Sequence, residues 1–429
     1  MCYCLHSRMS VFLYLITFLL GLHATTKGAP PSSSEGKVPT CYLPQQNDTF
    51  YKMSSINADF AFNLYRKFAV EIPDQNIFFS PVSISAALAM LSFGAGSSTQ
   101  TQILEALGFN FTDTSVAEIQ QGFQYLICSL NFPKKELELQ IGNALFIGKK
   151  LKPLPKFLDG VKTLYETDVF STDFSNVSAA EQAINCQVEK QTKGKIVNLI
   201  HDLKLNAIMV LVNYIHFKAQ WANPFQPSKT EDSSNFLVDK IITVKVPMMH
   251  QVEQYHYLVD MELNCTVLQM DYNKNALALF VLPKKGQMEW VEASMSSKTL
   301  KKWNRLLQKG WVNLFVPKFS ISATHDLRIM LLKMGIEDAF ADKADFSGLT
   351  EDNGLKLSYA AHKALLHIGE KGSDDVNDVT VSEVISMDQS EITLLHPIIR
   401  FDRTFLLMIL EKNTRSILFL GKVVNPTEV

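Results

Sequence analysis

A chain of 429 residues with 47% hydrophobic, 20% charged and 10% aromatic side chains has the composition of a globular protein able to bury a large core, which excludes intrinsic disorder. Its formal net charge of −2 excludes the global positive field that holds nucleic acids or anionic membranes.

The first predicted element is a secretory signal. Arg8 precedes the apolar run VFLYLITFLLGL at 11–22, and small or polar residues follow at 23–26. A run of about twelve apolar residues is too short to span a bilayer and has the signal-peptide pattern. Residues 1–28 are therefore expected to be cleaved and the mature protein secreted. Residues 29–50, opening with Pro30, Pro31 and three serines, are expected to form a flexible tail, and 51–429 one domain. Cys2 and Cys4 leave with the signal. Cys41, Cys128, Cys186 and Cys265 have neither metal-ligand spacing nor the density of a disulfide framework. Four Asn-x-Ser/Thr sequons, at Asn47, Asn110, Asn176 and Asn264, become expected glycosylation sites in a secreted chain.

Ile56, Phe60, Ala61, Leu64, Tyr65 and Phe68 fall at helical spacing on one stripe. A second helix is predicted between an N-cap at Ser80, with Pro81 in its first turn, and a stop at Gly94; a third ends at Gly108. Strands are predicted over 137–147, 208–217, 276–282 and 312–319. In SMSSKTLKKWNRLLQKG, Ser297, Leu300, Lys301 and Asn304 stand at i, i+3, i+4 and i+7 of one helix, with Trp303, Leu306 and Leu307 beside them facing the core. From spacing alone the mixed stripe reads as a solvated helix edge. The final run FLLMILEKNTRSILFLGKVV predicts a hairpin, with Lys412 and Arg415 in a wet turn. Helices early and strands late, without βαβ alternation, predict an α+β fold.

The chain contains no G-x-S-x-G, HExxH, P-loop or G-x-G-x-x-G motif, and His362 and His367 lie five apart, off metal-binding spacing. No enzyme, cofactor or metal site is expected.

Several ordered blocks resemble the serpin family: NIFFSPVSISAALAMLSFGAGSSTQTQILEALGF at 76–109, VNYIHFKAQWANPF at 212–225, LFVPKFSI at 314–321, HIGEKG at 367–372 and FDRTFLLMI at 401–409. Thr404 stands where the family usually carries proline. The resemblance implies three β-sheets, eight or nine helices and an exposed reactive loop, here about 370–395. In inhibitory members a protease cuts this loop, which then inserts as a strand into the main sheet. The hinge opening Glu370, Lys371, Gly372, Ser373 is present, but Asp374-Asp375-Val376-Asn377-Asp378 follows where inhibitors carry small residues. Insertion starting at Ser373 points Ser373, Asp375 and Asn377 inward, because alternate side chains share a face. Burying an unpaired Asp375 carboxylate costs several kcal/mol. The loop is therefore expected to be non-inhibitory, with partial insertion of its first residues still open and proteases acting as loop cleavers.

Within the family the chain is most similar to hormone carriers of plasma that take thyroxine and triiodothyronine. That resemblance implies a pocket between two helices, the sheet and the C-terminal hairpin. Its matching positions are Tyr51 and Ser54, then Gln269 and Leu277, then Ser297, Leu300, Lys301 and Asn304, and finally Lys412 and Arg415. The pattern favours arginine where Lys412 stands, so planar stacking and bidentate pairing are lost there. Apolar side chains suit the iodinated rings, and cations suit the carboxylate. A protease inhibitor and a steroid carrier are the alternatives, although a neutral steroid has no use for three cations. A monomer without nucleic-acid or membrane partners is expected.

Overall fold

The computed structural model describes residues 48–131, 137–373 and 396–428. The signal segment, most of the tail, Asn47, Asp375 and Asn377 lie outside the described residues.

The first helix spans Asp48–Glu71, so the last three residues assigned to the tail are helical. An aspartate in the first turn favours a helix start, which the tail assignment overlooked. Phe60, Ala61, Leu64, Tyr65 and Phe68 are buried along it, with Ile56 packed at the margin. Helix Pro81–Gly94 starts from the Ser80 hydroxyl, which accepts from the Ser83 amide. It is buried almost all round, because Ser83, Ser85, Ala86, Ala87 and Ala89 let neighbours approach closely. Gly94 ends it where a Cβ would come within 2.7 Å of the Phe157 ring. The third helix, Ser97–Ala106, leads into Gly108 at φ +93°, a left-handed turn that favours glycine.

Nine α-helices and fourteen strands occur among the described residues. Five strands form one sheet, in the order Phe319–Asp326, Tyr359–Ile368, Met209–Ala219, Leu137–Gly148, Asp168–Thr172. Its central pair is parallel, matching Tyr359 with Val210 through Ala364 with Ile215. Both central strands run on, to Ile368 and Ala219, past the end of that ladder. The other strands form a nine-stranded ladder, in which two of the three expected sheets share one strand. That strand, Thr243–Asp260, pairs with Gln308–Pro317 and, at its far end, with Cys265–Asp271.

The strand expected at 312–319 is two strands, Gln308–Pro317 and Phe319–Asp326, in different sheets. Pro317 has no N–H for a ladder, and the chain changes sheet at Lys318. His362 is completely buried; its Nδ1 lies 2.6 Å from Asn213 Oδ1 and its Nε2 accepts from the Ser80 amide at 3.0 Å. Burial pushes its pKa well below the ordinary imidazole value, so the ring is a neutral bolt between helix and sheet. His367 Nδ1 lies 2.8 Å from the Ser320 hydroxyl, so both histidines are hydrogen-bonded parts of the sheet. Cys128 is disulfide-bonded, while burial pushes the Cys265 thiol up to about 12.

Candidate ligand-binding cavity

The helix Ser297–Leu306 starts at Ser296, whose hydroxyl accepts from the Thr299 amide. One side of it is bolted down. Trp303 is fully buried, its Nε1 donating to Asp260 Oδ2 at 2.8 Å, and Lys302 Nζ lies 2.9 Å from the same carboxylate. The adjoining side carries Ser297, Leu300, Lys301 and Asn304, and all four line a cavity of about 710 Å³. Helical spacing grouped these four but read them as a solvated helix edge; they line a cavity.

Leu306 departs from expectation: it is 40% exposed, not core. The helix ends there, and Leu307 turns to extended geometry and closes the cavity instead. Ser297 is also a clamp. Its amide and hydroxyl donate to Asp59 at 2.8 and 2.9 Å, tying this helix to Asp48–Glu71. That leaves the Ser297 oxygen to serve a ligand as an acceptor.

The facing wall is sheet. Gln269 and Asp271 come from Cys265–Asp271, Leu277 and Leu279 from Ala276–Pro283, and His256 from Thr243–Asp260. The hairpin of Phe405–Glu411 and Ile417–Val423 supplies Leu410, Glu411, Lys412 and Arg415. Its turn is built tightly: buried Glu411 accepts from the Thr414 amide at 2.6 Å, and Arg415 sits at φ +55°. Ser54, on the first helix, donates from its hydroxyl to the Arg415 carbonyl at 3.1 Å, which locks the turn against that helix. Ser54 also lines the cavity, with Ser55 and Ala58. Tyr51 lies on the same helix, but its side chain lies outside the described residues.

Asp271 changes the charge pattern read from the sequence. Lys412 Nζ lies 2.6 Å from Asp271 Oδ1, and Gln269 Nε2 donates to the same oxygen at 3.1 Å. Lys412 is thus paired within the cavity wall, so less of its charge is turned to a ligand. Asp271 stands two residues from Gln269, so strand alternation could have placed it on the same face. His256 had no such signal, because only the register between distant strands brings it here. With Leu277, Leu279, Leu300, Leu307 and Leu410 making an apolar slot, the cavity suits a bulky apolar body with an anionic end.

The loop hinge lies beside this wall. Tyr272 follows Asp271, is buried, and stacks on Trp221 at 4.0 Å with the rings 14° apart. Its hydroxyl lies 2.8 Å from the Ser373 hydroxyl. Ser373 is 3% exposed, and its amide donates to the Ala219 carbonyl at 2.7 Å. Gly372, at φ +142°, crosses the strand where a Cβ would meet the Ala219 oxygen at 2.2 Å, so only glycine fits. Trp221 Nε1 donates to the Gly369 carbonyl, and Glu370 lies 2.9 Å from Lys318. The first loop residue is therefore seated where the two central strands have lost their mutual pairing.

Of the sequons, Asn110 and Asn176 are exposed and Asn264 is half-buried. The Oδ1 atoms of Asn110 and Asn176 accept backbone amides, of Thr112 and Ala179, so local structure engages the oxygen and not the nitrogen a glycan would take.

A long strand shared between sheets, a loop hinge entering between two parallel strands, and a ligand cavity at the C-terminal hairpin define the class. The family model for serpins (serine protease inhibitor) matches residues 55–426, and the chain belongs to that family. It is 77% identical over 414 residues to thyroxine-binding globulin of Bos taurus, covering 96% of this chain and 98% of the relative. Thyroxine-binding globulin of Homo sapiens is 76% identical over 420 residues, covering 98% of this chain and all of the relative. Among solved structures, a thyroxine-binding globulin complex with thyroxine matches with a TM-score of 0.83 at 78% identity, over 88% of this chain and 100% of that one. The reactive-loop-cleaved form of the human protein matches with a TM-score of 0.73 at 82% identity, over 76% and 96% of the respective chains.

Proposed function

We propose that this chain is a secreted plasma serpin that binds and carries thyroxine and triiodothyronine, and that it is neither an enzyme nor a protease inhibitor. One observation carries the reading. Ser54, Gln269, Leu277, Ser297, Leu300, Lys301, Asn304, Lys412 and Arg415, distant in sequence, line one cavity of hormone size. Its apolar slot takes the iodinated rings, and its cationic rim takes the carboxylate of an amino-acid end. Three cations give a neutral steroid nothing to pair with, which favours the thyroid hormones. Likeness to a thyroxine complex at 78% identity supports the same ligand. Asn304 tests the pocket, because it is exposed on the rim and supports no core packing. Asn304→Ala is expected to weaken thyroxine binding about five- to tenfold, the net worth of one ordinary hydrogen bond at an exposed rim, with Tm unchanged. Unaltered affinity would remove Asn304 from the site.

Release is proposed to follow the hinge. Ser373 touches Tyr272, and the next residue back, Asp271, holds Lys412 in the cavity wall. Movement of the loop's first residues therefore displaces a strand end that the hormone also contacts. Deeper insertion is opposed by Asp375 and Asn377, so cleavage within 374–395 should raise Tm by only a few degrees. A cleaved form stable above about 90 °C would show that the loop inserts fully and that the inhibitory machine is intact. Glycans at Asn47, Asn110, Asn176 and Asn264 complete the proposed secreted form. No helix among the described residues is long and apolar enough to cross a membrane.

A further inference from the structure

Among the described residues two acids line the cavity, Glu411 and Asp271. Glu411 is wholly buried and turned into its own hairpin, where it accepts the Thr414 amide. Asp271 is different, because its side chain is 33% exposed at the cavity wall. An acid there is out of place for a ligand that is only an anion. It repels what Lys301, Lys412 and Arg415 attract.

The carboxylate is held in place with capacity to spare. Its strand end is fixed, since Asp271 pairs with Leu277 and its carbonyl accepts the Ala222 amide at 2.8 Å. The hairpin is tied to the same corner, the Lys412 amide donating to the Asn275 carbonyl at 2.7 Å. Oδ1 takes Lys412 Nζ at 2.6 Å and Gln269 Nε2 at 3.1 Å. Among the described residues Oδ2 takes only that same amide, at 3.4 Å. An ionised carboxyl oxygen has two lone pairs to offer, so Oδ2 can accept a further donor. Room adjoins it: a smaller polar cleft of about 110 Å³ opens beside the cavity, and Gln269 and Asp271 line both. Lys309, the cation of that cleft, does not line the hormone cavity. A cationic N–H donor arriving from the cavity is therefore the partner that suits Oδ2 best.

The head of an amino acid carries an ammonium and a carboxylate on one carbon. Lys412 and Asp271, side by side in the wall, present the complementary pair of charges. We propose that Asp271 receives the ligand's α-ammonium group and so selects amino-acid hormones over their deaminated acids. This rests on the carrier reading above. The apolar slot grips the iodinated rings of either kind of molecule, and the cations grip either carboxylate. Only Asp271 tells the two apart, at the cost of some repulsion toward the carboxylate that both share. A merely structural Asp271, there to fix Lys412, would treat both ligands alike.

The test uses the whole secreted protein and two probes, thyroxine and tetraiodothyropropionic acid, which is thyroxine with hydrogen in place of its amino group. Each is titrated at about pH 7, where an α-amino group carries its proton. The ratio of the two Kd values, acid over thyroxine, isolates the ammonium. In Asp271→Asn this ratio should fall about three- to tenfold, the worth of an ion pair in a partly covered site. The lysine released by that change strengthens the hold on both carboxylates, and the ratio cancels it. In Lys412→Gln the ratio should rise instead, because Asp271 is no longer shared. This second variant carries the test if the first fails to fold. An unchanged or rising ratio in Asp271→Asn, or an unchanged or falling one in Lys412→Gln, overturns the proposal alone. Equal affinity of the wild-type protein for the two probes does the same. Absence of saturable binding of either probe overturns the carrier reading, and the proposal with it.

Discussion

Lys301→Glu is expected to weaken thyroxine binding about thirty- to a hundredfold, with the thermal midpoint moved by no more than a few degrees. Lys301 stands on the cavity side of Ser297–Leu306 and is exposed, so the fold does not depend on it. Reversing its charge removes one attraction for the carboxylate and installs a repulsion of similar size, and the two together give that factor in a partly desolvated site. Lys412 would not compensate, because Asp271 already engages it at 2.6 Å. Equilibrium titration of the variant checks this. An affinity within twofold of wild type would mean that the hormone's anionic end lies elsewhere.

Trp221→Ala has the largest expected effect on stability, about 3–5 kcal/mol, the usual loss for a fully buried aromatic side chain. The loss has three parts: burial of the indole, its stack on Tyr272, and the bond from Nε1 to the Gly369 carbonyl. The hinge loses its seat at the same time, so added protease should cut the loop faster. Trp221→Phe separates these effects, since it keeps most of the stack and loses the N–H. Chemical denaturation and cleavage rates measured side by side decide between them. An unchanged cleavage rate in Trp221→Ala would uncouple the indole from the hinge.

Sequence reading reached some of this directly and some only through resemblance. The stripe of Ser297, Leu300, Lys301 and Asn304 is legible because one helix turns through it, and period alone assigns its face. The hairpin and its two cations were legible for a similar local reason. Gln269 and Leu277 were placed by resemblance, since which face of which strand meets the helix depends on pairing between remote segments. The same non-local register hid His256. The sequence did not expose the tie between Asp271 and Lys412 either, because a carboxylate at i+2 says nothing of a cation 141 positions later. Leu306 was misplaced because hydrophobicity cannot say where a short helix ends. Pro317 did carry a warning, and the strand that ran through it should have been divided there.

The central claim is that the cavity beneath the C-terminal hairpin is a thyroid-hormone site. Trp303 lies in the helix that forms one wall, and Trp221 lines the adjoining cleft, so the protein contains its own reporters. The most direct test is titration of the purified secreted protein with thyroxine, followed by tryptophan fluorescence, with cortisol in parallel. The account predicts saturable quenching by thyroxine at one site per chain and no response to cortisol. No saturation by thyroxine, or an equal response to the steroid, would contradict it.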